Sequence, residues 1–153
     1  MKTRRNAYNR ETLPGFIVKD FIASFDATIV KISGRGGIGF VFREQEKGDH
    51  YSVVCRTDGS YGLYYYFAEK DEWSTIHSDI QNDIIQLENG ITNYFSVAVK
   101  GSIFTIYANG LELATVEDES LLGEGRVGFA LELYEAGQSM SVEFDDFFLM
   151  ENP

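Results

Sequence analysis

Hydrophobic and polar residues alternate with a period of two along most of the chain. Between Phe21 and Ile29 the odd positions are apolar and the even positions are mostly polar. The same alternation recurs in segments 38–43, 50–56, 95–100, 127–133 and 140–144. Successive side chains of a strand point to opposite faces, so this pattern predicts strands with one face on a core. Such half-buried strands are typical of antiparallel sheets.

Turn signals separate the predicted strands. Asp58-Gly59 and Asn109-Gly110 predict tight hairpins, because Asn or Asp followed by Gly tolerates the positive φ of type I′ turns. The one candidate for a helix is a short turn around residues 118–122. Strands spaced about 8–12 residues apart are typical of a sandwich or a barrel. The pattern therefore predicts an all-β domain.

Several segments, taken in order, resemble those of one protein family. They are Gly39-Phe40-Val41-Phe42-Arg43, Asp49-His50-Tyr51-Ser52-Val53, Glu72-Trp73, Asn93-Tyr94-Phe95-Ser96-Val97, Phe104 to Gly110, Gly125-Arg126-Val127-Gly128-Phe129 and Phe144-Asp145-Asp146-Phe147. In this order they resemble the concanavalin A-like (laminin G-like) jelly-roll domains of bacterial proteins. The resemblance implies a two-sheet antiparallel jelly-roll sandwich. It also implies carbohydrate or small-ligand binding more often than catalysis.

The resemblance covers residues 16–150, which we take as the jelly-roll domain, and leaves residues 1–15 as a basic N-terminal segment. Related domains usually carry one or two further strands before the position of Phe16. The closing strand, 144–149, would then have unpaired backbone groups at its edge, and because exposed edges recruit other strands, we expect this edge to be buried by some form of cover. Three kinds of cover are open: a partner protein, a second copy of the chain, or the N-terminal segment. In the last case Arg4, Arg5 and Arg10 would lie near Glu143, Asp145 and Asp146.

The charge of the chain restricts its partners. The 153 residues carry a formal charge of −11, and residues 11–153 contain nine basic and 24 acidic side chains. Such a body repels a phosphate backbone and an anionic membrane, which argues against both partners. The basic N-terminus lacks the apolar stretch of a signal peptide, so we expect a soluble, cytoplasmic protein from the chain as written. Cys55, the sole cysteine, is expected to be an inert thiol in the core.

The sequence predicts no catalytic residues. Related jelly-roll glucanases carry an E-x-D-x-x-E strand, of which Glu143-Phe144-Asp145 supplies only the first part, because Phe148 occupies the last position. Glu132 and Glu135 are three residues apart, which on a strand places them on opposite faces. Hydrolysis of a glycoside or a keto-sugar therefore stays an alternative, tested at Glu132 and Glu143.

One metal site is implied by the resemblance alone. In many jelly-roll domains an Asp of the final strand binds Ca²⁺ together with oxygens of the N-terminal segment, and Asp145 has the matching position. Calcium prefers several such oxygen ligands. We predict no other cofactor.

A ligand face is predicted from residues 61–67, which are apolar or aromatic at nearly every position. If Leu63, Tyr65 and Phe67 point into the core, Tyr64 and Tyr66 point outward. The predicted ligand-binding residues are Arg43, Arg56, Tyr64, Tyr66 and Trp73. Two alternatives stay open: loop 78–92 covers these rings, or the domain is a structural or protein–protein interaction module of a larger assembly.

Overall fold

The computed structural model describes residues 7–135 and 137–152. The strands of this part of the chain are β1 (Ala7–Val18), β2 (Phe21–Ile32), β3 (Gly36–Glu44), β4 (His50–Arg56), β5 (Ser60–Phe67), β6 (Glu72–Ile80), β7 (Thr92–Lys100), β8 (Ile103–Ala108), β9 (Leu111–Glu117), β10 (Gly125–Leu133) and β11 (Met140–Glu151). A three-residue 3₁₀ turn, Ala68–Lys70, joins β5 to β6. Within the described residues no helix is long and apolar enough to cross a bilayer.

The strands form two antiparallel sheets. One sheet has six strands in the order β1-β10-β3-β4-β5-β6, and the other has five in the order β11-β2-β7-β8-β9. Every pair of neighbouring strands is antiparallel. The predicted all-β, two-sheet sandwich is confirmed.

The core lies between the sheets and is rich in aromatic rings. Phe25 of the five-stranded sheet lies 5.6 Å from Phe40 of the six-stranded sheet, measured between ring centroids. Tyr51 lies 4.8 Å from Phe104 in the same way. Such pairs stabilise beyond the area they bury, by about 0.5–1.5 kcal/mol each. Cys55 is buried in this core, and burial raises the pKa of its thiol to about 12, as expected of an inert cysteine.

Strand β1 crosses the boundary that we drew at residue 15. It pairs with β10 from Ala7 opposite Leu133 to Val18 opposite Gly125, with an irregularity between Thr12 and Ile17. Pro14 and Gly15 (φ +84°) fall in that irregularity and interrupt the alternation, so the pattern did not indicate a strand before Phe16. Residues 7–15 therefore form part of the sandwich.

The N-terminal strand does not bring its charge to β11. Arg10 Nε donates to Glu44 Oε2 at 2.7 Å, within the six-stranded sheet. The expectation that Arg10 lies near Glu143, Asp145 and Asp146 is therefore wrong. Arg4 and Arg5 lie outside the described residues.

Among the described residues, strand β11 forms one edge of the five-stranded sheet and pairs with β2 alone. Its register shifts between Asp145 and Phe148, where Asp146 has a φ of +49°. Such a bulge locally interrupts strand pairing. Phe147 contacts Phe16 of β1, with ring centroids 6.1 Å apart, whereas Phe148 is 54% exposed.

Candidate ligand-binding face

The outward face of the six-stranded sheet has small residues at its centre. Ile38 and Phe40 of β3 lie in the core, so the alternate residues Gly37 and Gly39 face outward. Gly37 lies between Glu132 of β10 and Arg56 of β4. A strand without side chains at this place leaves a depression between its neighbours.

A cleft of about 290 Å³ occupies this face. Its walls are the aromatic rings of Tyr8, Tyr64, Trp73 and Tyr134, and Arg56 and Glu132 supply its main polar groups. These residues come from β1, β4, β5 and β6, from the end of β10, and from the residue that follows β10. The register of the sheet, and not proximity in the chain, brings them together.

The aromatic rings support one another. Trp73 lies 5.0 Å from Tyr8 in an edge-on arrangement and 4.8 Å from Tyr66, between ring centroids. Trp73 is nevertheless 43% exposed. The ring of Tyr64 lies along its own strand, so a side chain at Gly62 would collide with the Tyr64 hydroxyl. The rings thus offer apolar surface that is fixed in place yet accessible.

The polar groups of the cleft form a closed cluster. Arg56 Nε lies 3.1 Å from Glu132 Oε2 and 2.5 Å from the Tyr134 hydroxyl oxygen. The Tyr134 hydroxyl donates to the same Glu132 oxygen. Burial disfavours the charged guanidinium, but Glu132, Tyr134 and Tyr64 outweigh that effect and raise the pKa of Arg56. The cluster therefore holds a fixed cation beside a fixed carboxylate.

Tyr8 is held by a second polar cluster. Its hydroxyl donates to Ser52 Oγ at 3.0 Å and lies 3.3 Å from His50 Nε2. His50 Nδ1 lies 2.7 Å from the carbonyl oxygen of Gly48. Burial lowers the pKa of His50 to about 4 and raises the pKa of Tyr8 to about 12. Both groups are therefore neutral at pH 7.

Four of the five predicted ligand-binding residues lie on this face. Arg56, Tyr64 and Trp73 line the cleft, and Tyr66 packs on Trp73 while its hydroxyl donates to Asp71 Oδ1 at 2.6 Å. Their role in binding stays a prediction.

Arg43 does not lie on the ligand face. Its side chain is fully buried and donates to the carbonyl oxygens of Lys19 (3.2 Å) and Leu121 (3.0 Å) and to Asp20 Oδ1 (3.2 Å). Two residues of β3, Phe42 and Arg43, stand opposite a single residue of β10. Arg43 also has a φ of +52°, and this bulge breaks the alternation that placed it outward.

Loop 81–91 does not pack on the rings of the ligand face. Ile85 and Leu87 belong to the core, and the Gly90 amide donates to the carbonyl oxygen of Ile29 at 2.7 Å. The loop therefore packs on β2, in the five-stranded sheet. The rings of the ligand face are flanked by Tyr8 and Arg10 of β1, with the Arg10 guanidinium 5.8 Å from the Tyr66 ring centroid.

The candidate catalytic carboxylates do not meet. Glu132 lies on the outward face of the six-stranded sheet, whereas Glu143 lies on the outward face of the five-stranded sheet. A retaining glycosidase needs two carboxyl groups about 5–5.5 Å apart. Glu132 is also bound to Arg56 and Tyr134. This arrangement does not support glycoside hydrolysis by Glu132 and Glu143.

Asp145 lies beside two other acidic residues, Asp26 and Asp146. Asp145 pairs with Asp26 across the strands, and its Oδ1 accepts from the Asp146 amide at 2.8 Å. Burial, a hydrogen bond and charge from Asp146, and the charge of Asp145 raise the pKa of Asp26. Across residues 7–135 and 137–152 no group of three or more His, Cys, Asp or Glu side chains could hold a metal ion. Calcium at Asp145 stays a prediction without geometric support.

Comparison with known proteins identifies the fold. No protein-family model and no curated protein sequence matches the chain. Among solved structures, a carbohydrate binding module, CBM66 from Bacillus subtilis, matches with a TM-score of 0.75 and 16% identity, over 99% of this chain and 84% of that one. A Bacillus subtilis protein of unknown function with a galectin-like fold matches with a TM-score of 0.68 and 11% identity, over 97% and 80%. A tetrameric galectin from the sponge Cinachyrella sp. matches with a TM-score of 0.58 and 16% identity, over 95% and 99%.

These likenesses confirm the resemblance at the level of fold. The chain shares the two-sheet jelly-roll sandwich fold of the carbohydrate binding module and of the galectin. At identities of 11–16% these likenesses show the fold alone. The function therefore has to be argued from the site.

Proposed function

We propose that this protein is a carbohydrate-binding module that binds its ligand in the cleft of the six-stranded sheet. The observation that carries the proposal is the arrangement of one exposed ring, Trp73, and three half-buried tyrosine rings around the fixed Arg56–Glu132 pair. A sugar ring has an apolar face that packs on Trp73 or Tyr64. Its hydroxyl groups both donate and accept hydrogen bonds, which suits a guanidinium beside a carboxylate.

Two further observations support a binding function. Ligand sites are typically concave and mostly apolar, with a few well-placed polar groups, and the cleft has this composition. Solved structures with the same fold include a carbohydrate binding module and a galectin. The separation of Glu132 from Glu143 by the whole sandwich favours binding over hydrolysis.

The proposal is tested by glycan-array screening followed by calorimetric titration of the best-bound sugar. Tyr64→Ala removes an aromatic wall and should weaken binding at least about tenfold, which corresponds to about 1.4 kcal/mol. Tyr94→Ala is the matched control, because Tyr94 is 59% exposed on the other sheet and should leave binding unchanged. No sugar bound on the array, or equal effects of the two variants, would contradict the proposal.

A second candidate function is self-association through the edge of β11. In the part of the chain that the structure describes, this strand pairs on one side only, and Phe148 and Met150 are 54% and 50% exposed. An edge with free backbone groups and apolar side chains is a template for another strand. Light scattering and hydrogen exchange test this self-association. A monomer whose amides at 144–150 exchange freely would contradict it.

A further inference from the structure

A second depression adjoins the cleft at the end of the six-stranded sheet. It has a volume of about 230 Å³ and lies beside the turn that joins β4 to β5. Arg35, Thr57, Asp58 and Ser60 line it, together with Arg56 and Tyr134. Since Arg56 and Tyr134 also line the cleft, the two depressions form one continuous surface with these two side chains between them.

A buried glutamine fixes the loops on which this second depression is built. The side-chain nitrogen of Gln138 donates to the carbonyl oxygens of Ser33 and Arg35, the latter at 3.3 Å. Its side-chain oxygen accepts from the amides of Tyr134 (3.1 Å) and Glu135 (2.7 Å). Gln138 therefore ties the loop before β3 to the loop after β10, which preorganises Arg35 and Tyr134 for a ligand.

Arg35 and Asp58 give the depression a charged donor group and a charged acceptor group. The Arg35 guanidinium lies 5.7 Å from the Tyr134 ring centroid. None of the ion pairs found among residues 7–135 and 137–152 includes Arg35. Hydrogen bonds from Ser60, through its side chain and its amide, lower the pKa of Asp58. At neutral pH the depression therefore presents the Arg35 cation and the Asp58 anion together, while its second cation, Arg56, is paired with Glu132.

This pair of charges selects the chemistry of a ligand. A neutral hydroxyl can accept from Arg35 and donate to Asp58. An anionic substituent would gain from Arg35 but would face the ionised Asp58, and charges of like sign repel. The lining thus favours a polyhydroxylated, uncharged group over a sulfate or a carboxylate.

We infer that the second depression binds a second sugar unit, so that the preferred ligand is a neutral oligosaccharide that spans Arg56 and Tyr134. The inference rests on the proposed function, since the first sugar unit occupies the cleft. The inference assigns to Arg35 and Asp58 the discrimination between a disaccharide and a single sugar.

The test is calorimetric titration with methyl glycosides of galactose, glucose, mannose and fructose and with the corresponding homodisaccharides. For the best-bound series the disaccharide should bind at least about tenfold more tightly than the single sugar. Arg35→Gln should remove most of that gain and leave the affinity for the single sugar unchanged. Lys31→Gln is the matched control, because Lys31 is exposed on the five-stranded sheet and should affect neither. Asp58→Asn should reduce the same gain.

The outcomes separate this inference from the proposed function. Equal binding of single sugar and disaccharide, or a disaccharide gain that survives Arg35→Gln, overturns the inference and leaves sugar binding in the cleft intact. Binding of no sugar, or binding that Trp73→Ala does not weaken, overturns both. A 3-sulfated galactoside that gains more through Arg35 than the neutral disaccharide does would assign the depression to an anion and overturn the neutral-sugar assignment.

Discussion

The hydroxyl of Tyr8 lies 3.3 Å from Nε2 of His50, which joins the first strand to the fourth across the two strands between them. The rings of the two residues are stacked, with centroids 6.1 Å apart. Tyr8 is therefore both a wall of the cleft and an attachment of β1 to the centre of its sheet.

Removing that hydroxyl should weaken the fold. Tyr8→Phe leaves His50 Nε2 and Ser52 Oγ without this partner, and an unsatisfied buried polar group costs about 1–3 kcal/mol. We expect the free energy of unfolding, measured by urea denaturation, to fall by about 1–2 kcal/mol. Tyr94→Phe, at an exposed position of the other sheet, is the control. Equal stability of the two variants would show that the Tyr8 hydroxyl does not contribute to the free energy of unfolding in this way.

His50 should make stability depend on pH between about 6.5 and 4. The unfolded imidazole binds a proton below its ordinary pKa of 6.5, whereas burial lowers the folded pKa to about 4. The unfolded state therefore binds more protons in this window, and stability is lost as the pH falls, by about 3 kcal/mol in all.

The measurement is the difference in unfolding free energy between wild type and His50→Gln. That difference should shrink as the pH is lowered from 6.5 to 5, before most carboxylates titrate. Parallel pH curves for the two proteins would contradict the assignment of this effect to His50.

The Asp26 carboxyl should give a pH dependence of stability opposite in sign to that of His50. Its pKa is raised in the folded state, so the stability it contributes is present at low pH and is lost as the pH rises through that folded pKa. At pH 7 the like charges of Asp26, Asp145 and Asp146 repel one another. We expect Asp26→Asn to raise stability at pH 7 by about 0.2–1 kcal/mol, as for like charges across strands.

That gain should vanish below about pH 3.5, where the carboxyl is protonated in both states. Glu143→Gln removes the same charge at a position opposite Thr28 and serves as the control in thermal denaturation. A gain from Glu143→Gln as large as that from Asp26→Asn would point to net charge instead of the aspartate group.

Calcium should not stabilise the protein. A ligand that binds only the folded state raises the unfolding midpoint with its concentration, and within the described residues no group of three or more His, Cys, Asp or Glu side chains could hold a metal ion. We expect the same thermal midpoint in millimolar CaCl₂ and in EGTA. A midpoint that rises with calcium, and does so less in Asp145→Asn, would restore the calcium site that the family resemblance implies.

The sequence predicted the strands and part of the site because both depend on local alternation. Tyr64 and Tyr66 face outward, as the pattern of β5 predicts, and Tyr66 stands opposite Trp73 in the sheet. Asn109 and Gly110 both have positive φ, as a type I′ turn requires, whereas at Asp58-Gly59 only the glycine does.

What the sequence could not predict depends on contacts between distant residues or on breaks in alternation. Tyr8 joins the site through the pairing of β1 with β10, which connects residues more than a hundred positions apart. No local pattern encodes that pairing. Arg43 was misplaced because one extra residue in β3 reverses the faces beyond it. His50 had a readable signal, since it shares the outward parity of Ser52 and Arg56 in β4.

The position of Tyr8 also decides how short the chain can be made. A protein truncated to begin at residue 16, where the sequence pattern alone would start the domain, would lose Tyr8 and the Arg10–Glu44 ion pair. It would also leave the outer edge of β10, now covered by residues 7–12, open to other strands. Such a fragment would keep Trp73, Tyr64 and Arg56, but its cleft would be open on one side. Weak sugar binding by this fragment would therefore be a consequence of the truncation and would not measure the affinity of the complete cleft.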